Sequence, residues 1–301
     1  MYFTGFADEA GTGIDVQIKA TKELGWENIE SRNIDGTNIT NISDKEFDEV
    51  FEKLQAAGVK INCFGSEVAN WGKDPVKEDD FQKSIEDLKR GLPRMHKLGC
   101  KMIRGMSFAI VKELIPYSVE LEKTIFKKVN YLVKMCEDAG ILYLHENCMN
   151  YGGMSYEHTL KLIDNVKSPN FKLVFDTGNP VFSYDRRGKT PYRKQDSFEF
   201  YSQVKEHIHY VHIKDGVYIE ETDNIFPKSN FTFAGEGDGQ VEKIIKDLLS
   251  KGYDNGFSME PHLSVVFHDK SQESEDDIKY NNYIEYGKRF MALVEKIKSE
   301  L

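Results

Sequence analysis

The sequence predicts a single (β/α)8 barrel spanning residues 1–301. Three observations predict it. Eight short apolar runs alternate with segments of helical periodicity, a glycine recurs at the helix exits, and the last four runs each finish on an acid or a histidine. The length fits, because α/β barrels run to about 250 residues or more as one domain. No Pro/Gly/Ser-rich linker or low-complexity tract divides the chain.

The apolar runs fall near 2–6, 28–32, 59–64, 101–105, 141–146, 171–176, 208–213 and 256–260. Ile141-Leu142-Tyr143-Leu144 and Leu173-Val174-Phe175 are apolar at consecutive positions, as a parallel strand covered on both faces requires. Between the runs, Phe47, Val50, Phe51 and Leu54 make one helical stripe, with Ser43-x-x-Glu46 as its capping box. Ile85, Leu88, Leu92 and Met95 make another, in which Pro93 predicts a kink or a break. Further apolar faces run through 119–138, 156–167, 240–250 and 281–297. Gly25, Gly58, Gly99, Gly140 and Gly252 each follow a helical pattern, where a left-handed residue can end the helix. A doubly wound open sheet would show the same local pattern, and the placement of the polar residues favours the barrel.

Hydrophobic residues make up 40% of the chain and charged residues 30%, enough for a large core and a solvated surface. Fifty acidic residues against 40 basic ones give a formal net charge of -10, opposite in sign to what a phosphate backbone attracts, so nucleic acid is not an expected partner. Residues 1–9 show no charged-then-apolar signal pattern, and no apolar run approaches the ~18 residues of a membrane span, so a cytoplasmic protein without a membrane partner is expected. Cys63, Cys100, Cys136 and Cys148 form no C-x-x-C pair and read as reduced, buried small hydrophobes.

The chemistry lies in the last four runs: Leu144-His145-Glu146, Val174-Phe175-Asp176, Tyr210-Val211-His212 and Ser258-Met259-Glu260. In a barrel these ends share one mouth, where active sites are built. Three carboxylates and an imidazole make a hard, mostly oxygen site for one divalent ion, with Mn2+ favoured over Mg2+, Co2+ or Zn2+. Each residue alone has a plainer reading. Asp176 before Thr177-Gly178-Asn179 could only cap the next turn, and His212 could be a hydrogen-bonded rim histidine. Four successive strands placing such residues at one height is what favours the metal.

Leu144-His145-Glu146-Asn147, Phe175-Asp176-Thr177-Gly178-Asn179, Val211-His212-Ile213-Lys214-Asp215, Gly235-Glu236-Gly237 and Ser258-Met259-Glu260-Pro261-His262, with Gly5-Phe6-Ala7-Asp8-Glu9 at the start, resemble the xylose isomerase-like barrel, in particular its sugar phosphate isomerase/epimerase group. The resemblance covers nearly the whole chain. It implies that Glu146, Asp176, His212 and Glu260 hold the metal and that Glu146 and Glu260 act as acid and base. A proton beside a carbonyl leaves readily only if the developing enediolate oxygen is stabilised, which the metal would supply. Return of the proton to the opposite face is epimerisation, and return to the neighbouring carbon is isomerisation. Many relatives carry a histidine where this chain has Asn179, which can hydrogen-bond a hydroxyl but cannot shuttle a proton.

Further candidate substrate contacts are Asn179, Lys214, Arg104, Glu236 and Trp71. Lys214 could hold a substrate oxygen or pair with a carboxylate, and Trp71 could stack on a sugar or be a packed aromatic. Arg104, Glu30 and Arg32 could meet substrate or pair with one another. Glu236 sits in a Gly-x-Gly that could approach a ligand or form a surface turn. The basic stretch Asp185-Arg186-Arg187-Gly188-Lys189 with Arg193-Lys194 could receive a phosphate or be solvated, and His262 and His268 could reach the mouth or be exposed.

The leading function is a metal-dependent isomerase or epimerase with a small carbohydrate or cyclitol as its partner molecule. The same proton chemistry could instead expel a leaving group, giving a lyase or dehydratase on an oxidised sugar or glycoside. A DNA-repair endonuclease would need more histidine ligands and a basic groove, which Asn179 and the negative charge oppose. A non-catalytic sugar-binding barrel would keep the pocket without turnover. Self-association is left open.

Overall fold

The computed structural model describes residues 1–263 and 275–301, and His268 lies outside them. Eight strands, β1 (Tyr2–Gly5), β2 (Asn28–Ser31), β3 (Lys60–Phe64), β4 (Met102–Gly105), β5 (Leu142–Glu146), β6 (Phe171–Asp176), β7 (Ile208–Ile213) and β8 (Gly256–Met259), pair in parallel in the order β1-β8-β7-β6-β5-β4-β3-β2. A single parallel bridge between Phe6 and Glu30 carries the closure between β1 and β2, so the barrel is nearly closed. The open doubly wound sheet is thereby ruled out.

Helices α1 (Ile14–Glu23), α2 (Asp44–Ala57), α3 (Glu78–Leu98), α4 (Val119–Asp138), α5 (Tyr156–Asn165), α6 (Ser197–Val204), α7 (Val241–Ser250) and α8 (Glu275–Ser299) cover the strands. Among the described residues no helix is long and apolar enough to cross a membrane. All five exit glycines have positive φ, between 67° and 79°, and the capping box of α2 is formed by both Ser43 and Glu46. Pro93 does not break α3. The next residue ties the helix to the loop before α2: the buried Arg94 guanidinium donates to the carbonyls of Ile39 and Ile42 at 3.0 and 2.7 Å. Helix α6 escaped the sequence pattern because it is only 8 residues long, though Asp196 caps it by accepting from the Glu199 N–H at 2.6 Å.

Strand alternation sorts the side chains. Tyr143, Leu173, Phe175, Val211, Ile213 and Phe257 belong to the large core shared with the helices, whereas Leu144, Val174, Tyr210 and Cys63 form a separate small cluster inside the barrel. Two residues further on, at the C-terminal ends, the inward positions are Glu146, Asp176 and His212. His212 is in register with both Asp176 and Ser258. β7 continues past His212 to Ile213, and β8 stops at Met259, so Glu260 stands just beyond its strand, with its N–H donating to the Ile213 carbonyl at 2.9 Å. The plain expectation that all four residues terminate a strand is thus corrected at two of them. Two short antiparallel ribbons rise from the same end: Asn33–Ile34 with Thr37–Asn38, and Asp215–Glu220 with Lys228–Thr232.

Candidate metal centre

Glu146, Asp176, His212 and Glu260 are all buried, and each offers a ligand atom within 4.8 Å of those of the others. Their second atoms are already engaged. The Asp176 Oδ1 accepts from the Gly178 and Asn179 N–H groups at 2.9 and 2.7 Å, so the capping role is real but occupies only one oxygen. The Glu146 Oε1 accepts from the Asn179 amide at 3.1 Å. The His212 Nε2 lies 3.1 Å from both oxygens of the fully buried Glu30, which fixes the ring and turns Nδ1 inward. The Glu260 Oε1 is held by Arg32 at 2.9 Å and His262 at 3.1 Å. The atoms turned to one another are Glu146 Oε2, Asp176 Oδ2, His212 Nδ1 and Glu260 Oε2, and here the three carboxylate oxygens are held by cations alone: Lys214 on Glu260 and Asp176 at 2.6 and 3.2 Å, and Arg104 on Glu146 at 3.4 Å. Three hard oxygens and one nitrogen, with ligand atoms within 4.8 Å of one another, fit a divalent cation that would replace the positive charge Lys214 and Arg104 now supply.

The electrostatics agree. Burial opposes charge on Glu146, but Arg104, whose guanidinium lies 3.4 Å away, and His212 hold its pKa down to about 2. Burial likewise opposes charge on Glu260, and Lys214, His262 and Arg32 overcome it, holding the carboxyl well below its ordinary range. Asp176 goes the other way. Burial raises it to about 6, with Glu260 and Glu146 adding repulsion that Lys214 only partly relieves. Burial disfavours the imidazolium of His212, yet Glu30 and Glu146 raise its pKa to about 10. Two of the carboxylates are thus already ionised at neutral pH, while His212 has to give up its Nδ1 proton before that nitrogen can hold an ion.

The remaining expected residues separate. Lys214 pairs with Glu260 at 2.6 Å and Asp176 at 3.2 Å and donates to the Asn179 Oδ1 at 3.1 Å, so the ion-pair reading holds, and the side chain also lines the cavity. Asn179, Arg104 and Trp71 line the same cavity of about 430 Å³. Glu236 does not: it is exposed and pairs with Arg289 at 3.0 Å. Its flanking glycines serve the fold. The N–H groups of Gly235, Gly237 and Gly239 all donate to the Asp215 carboxylate at 2.8–3.1 Å, and a Cβ on Gly237 would sit 2.5 Å from the Asp215 Oδ1. Close backbone approach is therefore to Asp215. In the basic stretch, Arg187 and Arg193 are neutralised by Asp185 and Glu199. The expected pairing of Glu30 with Arg32 or Arg104 is replaced by Glu30 with His212 and by Arg32 with Asp8, Glu9 and Glu260.

Sequence reasoning gave no role to Asp8 and Glu9, which reach the site through Arg32, or to the pair Phe182 and Phe231, stacked with centroids 4.5 Å apart on the cavity wall. The signal for Glu30 was present, since an acid in the middle of Asn28-Ile29-Glu30-Ser31 must face the barrel interior if Ile29 faces the helices. Phe231 carried none, because it sits on a ribbon 15 residues past Gly216, its partner in register.

Fold and site together define a (β/α)8 barrel with a candidate metal centre at the C-terminal mouth. The chain belongs to the xylose isomerase-like TIM barrel family, whose model matches residues 18–281. Solved structures share the fold. A D-tagatose 3-epimerase-like protein superposes with a TM-score of 0.72 at 17% identity, over 100% of this chain and 99% of its own. The IOLI protein with a binding zinc atom gives 0.69 at 16%, over 99% of each chain. The probable 3-DHS dehydratase AsbF of petrobactin synthesis from Bacillus anthracis gives 0.67 at 16%, over 94% and 97%. No curated protein sequence matches the chain.

Proposed function

We propose that the protein is a divalent-metal-dependent isomerase or epimerase of a small hydroxy-carbonyl carbohydrate, with Glu146 and Glu260 as its proton-transferring pair. The observation that carries the reading is the convergence of four buried ligand atoms within 4.8 Å of one another, two of them from glutamates that line one cavity. Glu146, Asp176, His212 and Glu260 would hold the ion, Mn2+ by preference among Mn2+, Mg2+, Co2+ and Zn2+. When bound, the ion supplies the positive charge that acidifies a C–H beside a carbonyl. The protein supplies the rest. Glu146 and Glu260 are both ionised at neutral pH, so either can accept a carbon-bound proton; the glutamate that takes it can hand it to the neighbouring carbon, and return to the opposite face needs the other glutamate, three strands away, to have first taken a proton from solvent. Lys214 and Asn179, hydrogen-bonded to each other, present an ammonium and an amide to substrate hydroxyl or carbonyl oxygens. Arg104 holds Glu146 in its charged state.

The test is a screen of sugars with metal-loaded protein in D2O. Deuterium should enter the carbon beside the carbonyl in wild type and not in Glu260→Gln, with ligand binding still measurable in the variant. Full exchange in Glu260→Gln would sink the assignment. A lyase or dehydratase uses the same pair, and the roomy cavity favours keeping it as the second reading; release of a fragment or of water would identify it.

A further inference from the structure

The residues of the candidate centre all come from one half of the barrel, β5 to β8, while the cavity extends over the other half. There it is lined by Asn33 after β2 and by Glu67, Asn70 and Trp71 after β3. Trp71 is 58% exposed, and its indole N–H makes no hydrogen bond and its ring no aromatic contact among the described residues. A large indole left in water at a cavity wall is a surface waiting for a ring. Polar groups that line the same part of the cavity are also uncommitted. The Glu67 carboxylate and the Asn33 amide have no partner among the described residues, and Asn70 uses only its Oδ1, accepting from the Gly72 N–H at 3.0 Å. A cavity that presents an aromatic face together with a carboxylate and two amides matches a sugar ring, which has an apolar face and hydroxyls around its edge.

A cavity of about 430 Å³ also exceeds what one six-carbon sugar fills. We infer that the Trp71 side is a second subsite for a glycosyl unit, so that the substrate is a glycoside whose reacting sugar lies at Glu146 and Glu260 and whose second ring stacks on Trp71. The inference rests on the proposed function for the placement of the reacting sugar, and on Trp71, Glu67 and Asn33 alone for the second.

The chain has two tryptophans, Trp26 buried in the core and Trp71, so indole emission reports the subsite directly. Mn2+-loaded protein is titrated with the glycosyl ketoses lactulose and turanose and with D-fructose and D-tagatose, following Trp emission and calorimetric affinity. The glycosyl ketoses should shift the emission and bind about three- to tenfold more tightly than the free ketoses. Trp71→Ala and, separately, Glu67→Ala should erase that preference, with circular dichroism reporting the fold of each. Equal affinities in wild type, or no binding by either class, would overturn the subsite. A preference lost in Trp71→Ala but kept in Glu67→Ala and Asn33→Ala would mean an apolar aglycone and would overturn the glycosyl assignment. Deuterium exchange into D-fructose without any glycosyl preference removes the subsite and leaves the proposed function. Glycosyl binding through Trp71 without exchange does the reverse.

Discussion

Replacing Asp176 by asparagine should stabilise the metal-free protein while destroying its response to metal. Asp176 is fully buried, and burial lifts its carboxyl from 3.8 to about 6. An acid whose folded pKa lies above its unfolded one costs stability wherever it is ionised in the fold. The cost is complete above pH 6 and is relieved as pH falls from 6 toward 3.8. A tenfold change in proton affinity is worth about 1.4 kcal/mol, so the penalty is about 3 kcal/mol. Asparagine keeps an oxygen for the Gly178 and Asn179 N–H groups, and the pKa of about 6 already includes the 3.2 Å ion pair to Lys214; leaving that buried ammonium with one carboxylate fewer brings the gain to roughly 1–3 kcal/mol. In EDTA at pH 8 the variant should melt a few degrees above wild type, with the gap closing near pH 4. Added Mn2+ at about 100 times its wild-type Kd should stabilise wild type by about 2.7 kcal/mol and the variant far less. A variant less stable than wild type in EDTA at pH 8 refutes the claim that this carboxylate is held at a cost for a cation.

Glu260→Gln and His212→Ala should part company: the first stops deuterium exchange with ligand binding retained, and the second mainly weakens metal affinity, by about tenfold or more, read by competition with a chromophoric chelator. Gly237→Ala drives a Cβ to within 2.5 Å of both the Gly216 carbonyl oxygen and the Asp215 Oδ1, and should cost about 1–3 kcal/mol in urea unfolding; a neutral result would show that the 235–239 loop yields freely. Burial lowers His145 from 6.5 to about 4, so the unfolded chain takes up a proton that the fold refuses. Its contribution is whole above pH 6.5 and declines by up to about 3 kcal/mol as pH falls toward 4, and urea midpoints at pH 7 and 4.5 should show a shallower decline in His145→Asn.

Most of the barrel was legible because its signals are local. A glycine after each of five helices and apolar runs a helix apart located the strands to within a residue or two. Pro93 does not interrupt α3, and the tertiary contacts that anchor the helix there, those of Arg94 to the Ile39 and Ile42 carbonyls, are not displayed in the sequence. The four residues of the centre were found because each finishes one of the last four apolar runs, at the end of the barrel where the strands share one mouth. Their supports were not, since the pairing of Arg32 with Glu260, 228 positions away, and of Glu30 with His212, 182 away, exists only once the barrel closes. Glu236 was placed near substrate on the strength of its glycines, and those glycines wrap Asp215 instead.

Whether the four residues on the last four strands form one metal centre is measured most directly by metal stoichiometry. EDTA-stripped protein dialysed against Mn2+ should bind one ion per chain, and the Asp176→Ala/His212→Ala double variant, folded by circular dichroism, should bind none at the same free concentration. An unchanged stoichiometry in the double variant, or no ion in wild type, would contradict the assignment.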